Sequence, residues 1–188
     1  MTDLAAGDGP SDLPGVSYGH IDRHGDDRGS FRELWRAEAF PGEAFVQANL
    51  STSAVGVLRG LHLHRRQTDL WVVAEGRAFV ALVDARPAVE GTGPARVETR
   101  VFDADDWVLI PRGVAHGFLA LDALSLVYLV TNTYDGTDEL GFAWDDPAVA
   151  VPWPTIPATP DGRPILSGRD LTNPSLAELV VRLRDTAV

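Results

Sequence analysis

The sequence predicts an all-β protein, an antiparallel barrel or sandwich, and three observations carry that prediction. Between residues 16 and 151 the chain is a series of short apolar runs rich in Val, Phe, Trp, Tyr and Leu, each bounded by Gly, Asp, Asn or Pro. That is the composition of strands separated by turns. The runs follow one another without helical periodicity between them, which argues against alternating strands and helices. A single strong helical signature stands near the C-terminus. A length of 188 residues suits one domain able to bury a substantial core.

Residues 1–15 are acidic and rich in Pro and Gly, with no apolar periodicity. They are expected to be a disordered N-terminal extension to a single domain over residues 16–188. Strands are expected over 45–50, 70–74, 78–83, 107–110 and 124–131. In Pro174-Ser175-Leu176-Ala177-Glu178, the Ser stands three residues before the Glu, the reciprocal pair of a capping box. Leu176, Leu179, Val180 and Leu183 then recur at helical spacing. This C-terminal helix is amphipathic and is expected to cover an edge or end of the barrel.

Sixteen Lys and Arg against 27 Asp and Glu leave a net charge of −11. Such a surface repels phosphate backbones and anionic lipid, so neither nucleic acid nor a membrane is an expected partner. An anionic ligand needs a local basic pocket. The absence of Cys removes disulfides, thiolate chemistry and cysteine-ligated metals. No stretch approaches the ~20 apolar residues of a membrane span. The N-terminus also lacks the order of a signal peptide, so a cytoplasmic protein is expected.

The densest chemical segment runs from Gly56 to Asp69 and includes Arg59, His62, His64, Arg65, Arg66 and Gln67. In an extended chain His62 and His64 share one face while Leu61 and Leu63 take the other. Such a pair is either a set of hydrogen-bonded polar residues in a wet barrel mouth or a functional site. A second segment, Pro111-Arg112-Gly113-Val114-Ala115-His116, delivers another His from a turn into an apolar strand. The two segments together resemble the paired motifs of the cupin superfamily, with Asp69 where Glu is usual. That resemblance implies a double-stranded β-helix, or jelly-roll, barrel with its site inside.

A closer resemblance appears along the whole chain. Asp27-Arg28-Gly29-Ser30-Phe31-Arg32-Glu33, Phe45-Val46-Gln47-x-Asn49-x-Ser51 and Val57-Leu58-Arg59-Gly60-Leu61-His62 stand in the order found in dTDP-4-dehydrorhamnose 3,5-epimerases. So do Ile110-Pro111-x-Gly113-x-Ala115-His116-Gly117-Phe118, Trp144-x-Asp146-Pro147, Trp153-Pro154 and Leu166-Ser167-x-Arg169-Asp170. The chain is similar to that family over residues ~16 to ~180. The resemblance implies an isomerase that epimerises an NDP-4-keto-6-deoxyhexose at C3, C5 or both, as a homodimer and without metal or organic cofactor. Its setting would be deoxysugar or cell-surface sugar biosynthesis.

Carried over residue by residue, His62 matches the family's base, Asp170 the carboxylate that orients it, and Tyr128 the acid on the opposite side of the sugar. Arg28, Phe31, Glu33, Gln47, Asn49, Arg59, His64, Asp69, His116, Tyr134 and Arg169 are the expected substrate-binding positions. The chemistry explains the types. Inverting a carbon beside a ketone requires removing its proton, holding an enolate and returning a proton from the other side. The carbon acid lies roughly a dozen pKa units above imidazole, about 16 kcal/mol, so the enolate oxygen needs stabilising as well. Without the resemblance, Tyr128 reads as an ordinary barrel-wall aromatic.

The sequence departs from the family at Asp69, which aligns with a Lys placed to stabilise the enolate. A carboxylate ~4 Å from the enolate would repel it by about 4 kcal/mol at an effective dielectric of ~20. Unmodified double epimerisation is therefore in question. Two alternatives follow. His62, His64, Asp69 and His116 have the types and spacing of a divalent-metal site, which would make the protein a metal-dependent oxygenase or isomerase. Arg65 or Arg66 would otherwise supply the missing positive charge. A further alternative is a barrel that binds a sugar nucleotide without turning it over. Arg59 has the parity of the strand face opposite His62, unless Gly60 marks a bulge. The acidic runs 103–106 and 135–139 read as solvated loops without function, and His20 and His24 as surface residues.

Overall fold

The structure, a computed structural model, describes residues 10–134, 136–156, 159 and 161–185. Its frame is two five-stranded antiparallel sheets. The first orders β1 (Ser17–His20), β9 (Asp106–Ile110), β6 (Asp69–Glu75), β11 (Leu124–Val130) and β4 (Gln47–Ser53). The second orders β12 (Leu140–Gly141), β5 (Leu58–Leu63), β10 (Val114–Ala120), β7 (Ala78–Asp84) and β8 (Arg96–Phe102). A separate hairpin joins β2 (His24–Asp26) to β3 (Gly29–Phe31). Neighbours in each sheet are mostly distant in sequence, as in the expected jelly roll.

Strand alternation sorts the side chains into an inner and an outer layer. Trp71 and Val73 of β6, Val80 and Leu82 of β7, Val114 and Phe118 of β10, and Leu124 and Leu126 of β11 meet between the sheets. The same inward rows also carry the polar side chains Asp69, His116 and Tyr128, with His116 standing between Val114 and Phe118. On the outside of the second sheet, Leu61, Leu63, Ala81, Val83 and Ala115 are covered by the C-terminal helix (Leu176–Asp185) through Leu176, Leu179, Val180 and Leu183. The helix therefore lies on a sheet face, not on an edge or end as expected. Ser175 and Glu178 make the reciprocal cap, with the Ser175 N–H donating to Glu178 at 2.8 Å and the Glu178 N–H to Ser175 at 3.3 Å.

Of the segment expected to be disordered, residues 1–9 lie outside the described residues. Residues 10–15 pack onto the barrel: Leu13 is buried, the Ser11 hydroxyl donates to Glu98 at 2.7 Å, and Arg100 donates to the Pro10 carbonyl at 3.1 Å. The run 103–106 also differs from its reading as a solvated loop. Asp105 is buried and pairs with Arg23 at 2.7 Å and Arg32 at 3.0 Å. Among the described residues, no helix is long and apolar enough to cross a membrane.

Candidate active site

His62 reaches the barrel mouth from β5, and its placement depends on a local irregularity. In the pairing with β10, His62 faces His116 and Arg59 faces Phe118, so three steps on β5 span two on β10. The extra residue is a bulge at Gly60, whose φ of +131° suits glycine. A Cβ there would sit 2.6 Å from the Gly117 Cα and 2.9 Å from the His116 carbonyl oxygen. The bulge resets the strand's parity, so Arg59 and His62 line one cavity, which regular alternation would forbid.

That cavity is enclosed by Arg59, His62, His64, Asp69, Trp71, His116, Phe118 and Tyr128, with Ser51, Gln67, Leu126 and Glu139 completing the wall. His62 comes from the second sheet and Tyr128 from the first, so the two face the same space from opposite walls. Behind His62 stands Asp170, 108 residues away in sequence and buried, whose Oδ1 lies 2.8 Å from His62 Nε2. Ser167 holds this carboxylate: its hydroxyl donates to Asp170 Oδ2 at 2.9 Å and accepts the Asp170 N–H at 3.1 Å. These residues form and cap a short helix (Gly168–Leu171). Burial pushes the Asp170 carboxyl upward, but the bonds from His62 and Ser167 and the charges of His62 and Arg169 outweigh it, leaving the group below its ordinary value. With Nε2 directed at a carboxylate, Nδ1 is the lone-pair atom left to His62 for proton abstraction.

Opposite, the Tyr128 hydroxyl is held above its ordinary pKa by burial and by the negative charges of Asp69 and Glu139. It therefore stays protonated at neutral pH. Deeper in the pocket, burial raises the Asp69 carboxyl, while the Gln67 amide donates to it at 2.7 Å and the Trp71 indole N–H at 3.3 Å. Burial and the neighbouring His64 and His62 push His116 well below the usual imidazole range, so it is neutral. His64, Asp69 and His116 gather their ligand-type atoms within 4.8 Å of one another. His62 is outside that group.

The remaining expected site residues divide into four sets. Gln47 and Asn49 share the β4 face of Ser51 and run toward the pocket, with Asn49 paired to Tyr128 and Gln47 Nε2 donating to Asn49 at 2.9 Å. Tyr134, 69% exposed, stands over an adjoining cleft that shares His64, Gln67 and Glu139 with the main cavity. Arg169 joins through Glu139, donating to its carboxylate at 3.0 Å. Arg28, Phe31 and Glu33 are not brought to the pocket: Arg28 and Phe31 line a separate cleft on the exposed β2–β3 hairpin, and Glu33 pairs with Arg36.

Arg65 and Arg66 do not line the main cavity either, and their guanidinium groups lie within 3.5 and 3.9 Å of Asp138. The run 135–139, read as solvated, instead does structural and site work. Asp138 is buried and accepts the backbone N–H groups of Arg65 at 3.0 Å and Arg66 at 2.8 Å, while its carbonyl lies 2.7 Å from His64 Nδ1. Glu139 lines the pocket. Asp135 lies outside the described residues. Ser167 stood in the motif of Asp170 without a role of its own, and no periodicity or spacing marked Asp138 and Glu139, because these roles come from loops that meet only in the fold.

The sequence profile of the dTDP-4-dehydrorhamnose 3,5-epimerase family matches residues 10–178. The spore coat polysaccharide biosynthesis protein SpsL of Bacillus subtilis is 37% identical over 147 residues, covering 76% of this chain and 97% of that protein. The dTDP-4-dehydrorhamnose 3,5-epimerase of Escherichia coli is 36% identical over 165 residues, covering 83% and 86%. A crystal structure of the dTDP-6-deoxy-D-glucose-3,5-epimerase of Legionella pneumophila, in complex with dTDP-4-keto-L-rhamnose, superposes with a TM-score of 0.79 at 28% identity, covering 92% and 94%.

Proposed function

The chain belongs to the dTDP-4-dehydrorhamnose 3,5-epimerase family, and from that premise we propose that it epimerises a dTDP-4-keto-6-deoxyhexose at a carbon alpha to the C4 ketone, at C3, C5 or both. The observation that carries the reading is the His62–Asp170 pair facing Tyr128 across one cavity. His62 Nδ1 takes the proton, the C–H electron pair moves to the ketone oxygen as an enolate, and Asp170 balances the imidazolium formed. Tyr128 returns a proton to the opposite face, and the ketone is restored.

Arg59, at the cavity wall, supplies positive charge for the diphosphate in a protein whose surface is acidic. The reaction needs no organic cofactor, because both proton transfers are made by side chains. The protein works in the cytoplasm, in deoxysugar or cell-surface polysaccharide synthesis, a setting that the name of the Bacillus relative supports. A homodimer is part of the proposal. The exposed β2–β3 hairpin, with Phe31 67% exposed and remote from its own pocket, supplies Arg28 and Phe31 to the site of a second copy.

The test is incubation of the protein with dTDP-4-keto-6-deoxyglucose, followed by NMR of the sugar product. The wild-type chain is expected to yield the C3, C5 or doubly inverted ketosugar, and His62→Ala to return substrate unchanged. Recovery of unaltered sugar from the wild-type protein, with binding intact, would convert the reading to a non-catalytic sugar-nucleotide receptor.

A further inference from the structure

We infer that His64, Asp69 and His116 form a site for one divalent cation of the borderline first-row type, set beside His62 in the same cavity. The three side chains are 5%, 3% and 4% exposed, so their polar atoms are committed to one another and to the cavity. One ligand-type atom of each lies within 4.8 Å of the other two. His64 Nδ1 is 2.7 Å from the Asp138 carbonyl oxygen and His116 Nδ1 is 3.2 Å from that of Val114. A carbonyl only accepts, so both rings carry their proton on Nδ1 and keep a lone pair on Nε2.

His116 Nε2 then faces Asp69 Oδ2 across 3.7 Å, one acceptor against another. A proton between them serves two of the three groups, whereas a cation serves all three. The surroundings are those that orient metal ligands: each imidazole gives its other N–H to a carbonyl, and the carboxylate is fixed by Gln67 and Trp71. Two imidazoles and a carboxylate suit zinc, cobalt, nickel, iron(II) or manganese. With bonds of about 2.0–2.1 Å to such an ion, the three atoms need to close by about an ångström, a shift that side-chain rotation supplies.

His62 is left out of the set, since its Nε2 is directed at Asp170. Proton abstraction and cation binding therefore do not compete for one imidazole. Asp69 occupies the position where the family resemblance places a Lys, so a cation there restores the positive charge that an enolate oxygen requires. That role rests on the epimerase reading, but the existence of the site does not.

The test is equilibrium dialysis of the full chain, stripped with chelator, against Zn²⁺ alone, with Co²⁺ as a spectroscopic probe. One equivalent per chain is expected, with visible ligand-field bands for Co²⁺. His116→Ala and Asp69→Asn are expected to weaken binding by about 100-fold or more, and His62→Ala by less than about 3-fold. His64→Gln provides a third substitution, and circular dichroism of each variant verifies that it is folded. Less than one equivalent in the wild type, or binding that survives all three triad substitutions, overturns the site. Binding lost in His62→Ala would also overturn it, because the ion would then sit on the base. Solvent exchange into substrate on the same samples separates the two ideas. Exchange that persists in chelator without bound ion rejects the cation's role at the enolate and keeps the epimerase, leaving the site itself to the dialysis result. A bound ion with no exchange under any condition keeps the site and rejects the epimerase.

Discussion

His62 and Asp170 come from β5 and from a short helix 108 residues later, and their 2.8 Å contact engages Nε2, which leaves Nδ1 as the ring nitrogen with the lone pair. The contact also has a thermodynamic signature. The Asp170 carboxyl is held below its ordinary value in the fold, with burial opposing and the bonds of His62 and Ser167 prevailing. A depressed carboxylate contributes stability that is present above its unfolded pKa of about 3.9 and is lost as pH falls through the lower folded value. Chemical denaturation of wild type and Asp170→Asn from pH 7 to pH 3 is therefore expected to show a gap that narrows toward the acid end. A gap independent of pH would mean that the carboxylate's charge is not what the fold uses. At this scale the family resemblance pointed to His62, Tyr128 and Asp170, and the fold brings His62 and Tyr128 to one cavity with Asp170 against His62, whereas Ser167 stood in the motif of Asp170 without a role. That this Ser caps a four-residue helix and bonds the carboxylate emerges only in the fold.

Among the elements, β5 decides the geometry of the site. Strand alternation alone puts Arg59 and His62 on opposite faces, and only the bulge at Gly60 reconciles them. Gly60→Ala adds a Cβ within 2.6 Å of the Gly117 backbone and forces alanine into φ of +131°. The expected cost is at least about 2 kcal/mol of stability, read by denaturation, with a loss of activity larger than the loss of folded protein. A variant with wild-type stability would show that β5 tolerates a regular register. The strands themselves were legible because their β-branched and aromatic runs are bounded by turn residues, and the helix because Ser175 and Glu178 sit at capping-box spacing. The acidic loops were not. Asp105 and Asp138 look like solvated residues in sequence, and only the fold brings Arg23 and Arg32 to one and the backbone of Arg65 and Arg66 to the other.

For the whole molecule, the hairpin carrying Arg28 and Phe31 stands apart from the pocket that the family resemblance assigns to those residues. A symmetric pair in which each hairpin reaches the other copy accounts for both facts. Mixing inactive His62→Ala with inactive Arg28→Ala chains is then expected to recover up to about a quarter of wild-type activity, through hybrids holding one intact site. That fraction follows from random pairing, in which half the dimers are hybrids and each has one of its two sites complete. No recovery despite confirmed exchange of subunits would return Arg28 to its own chain or remove it from the site.

In the proposed reaction an imidazole in the barrel mouth removes a proton from the carbon next to a ketone. Proton NMR of dTDP-4-keto-6-deoxyglucose in deuterated water measures that step directly. With wild-type protein, deuterium is expected to replace hydrogen at C3, C5 or both. Tyr128→Phe is expected to retain exchange while slowing formation of the inverted product, and His62→Ala to show no exchange above the uncatalysed rate. Exchange at the wild-type rate in His62→Ala would contradict the account.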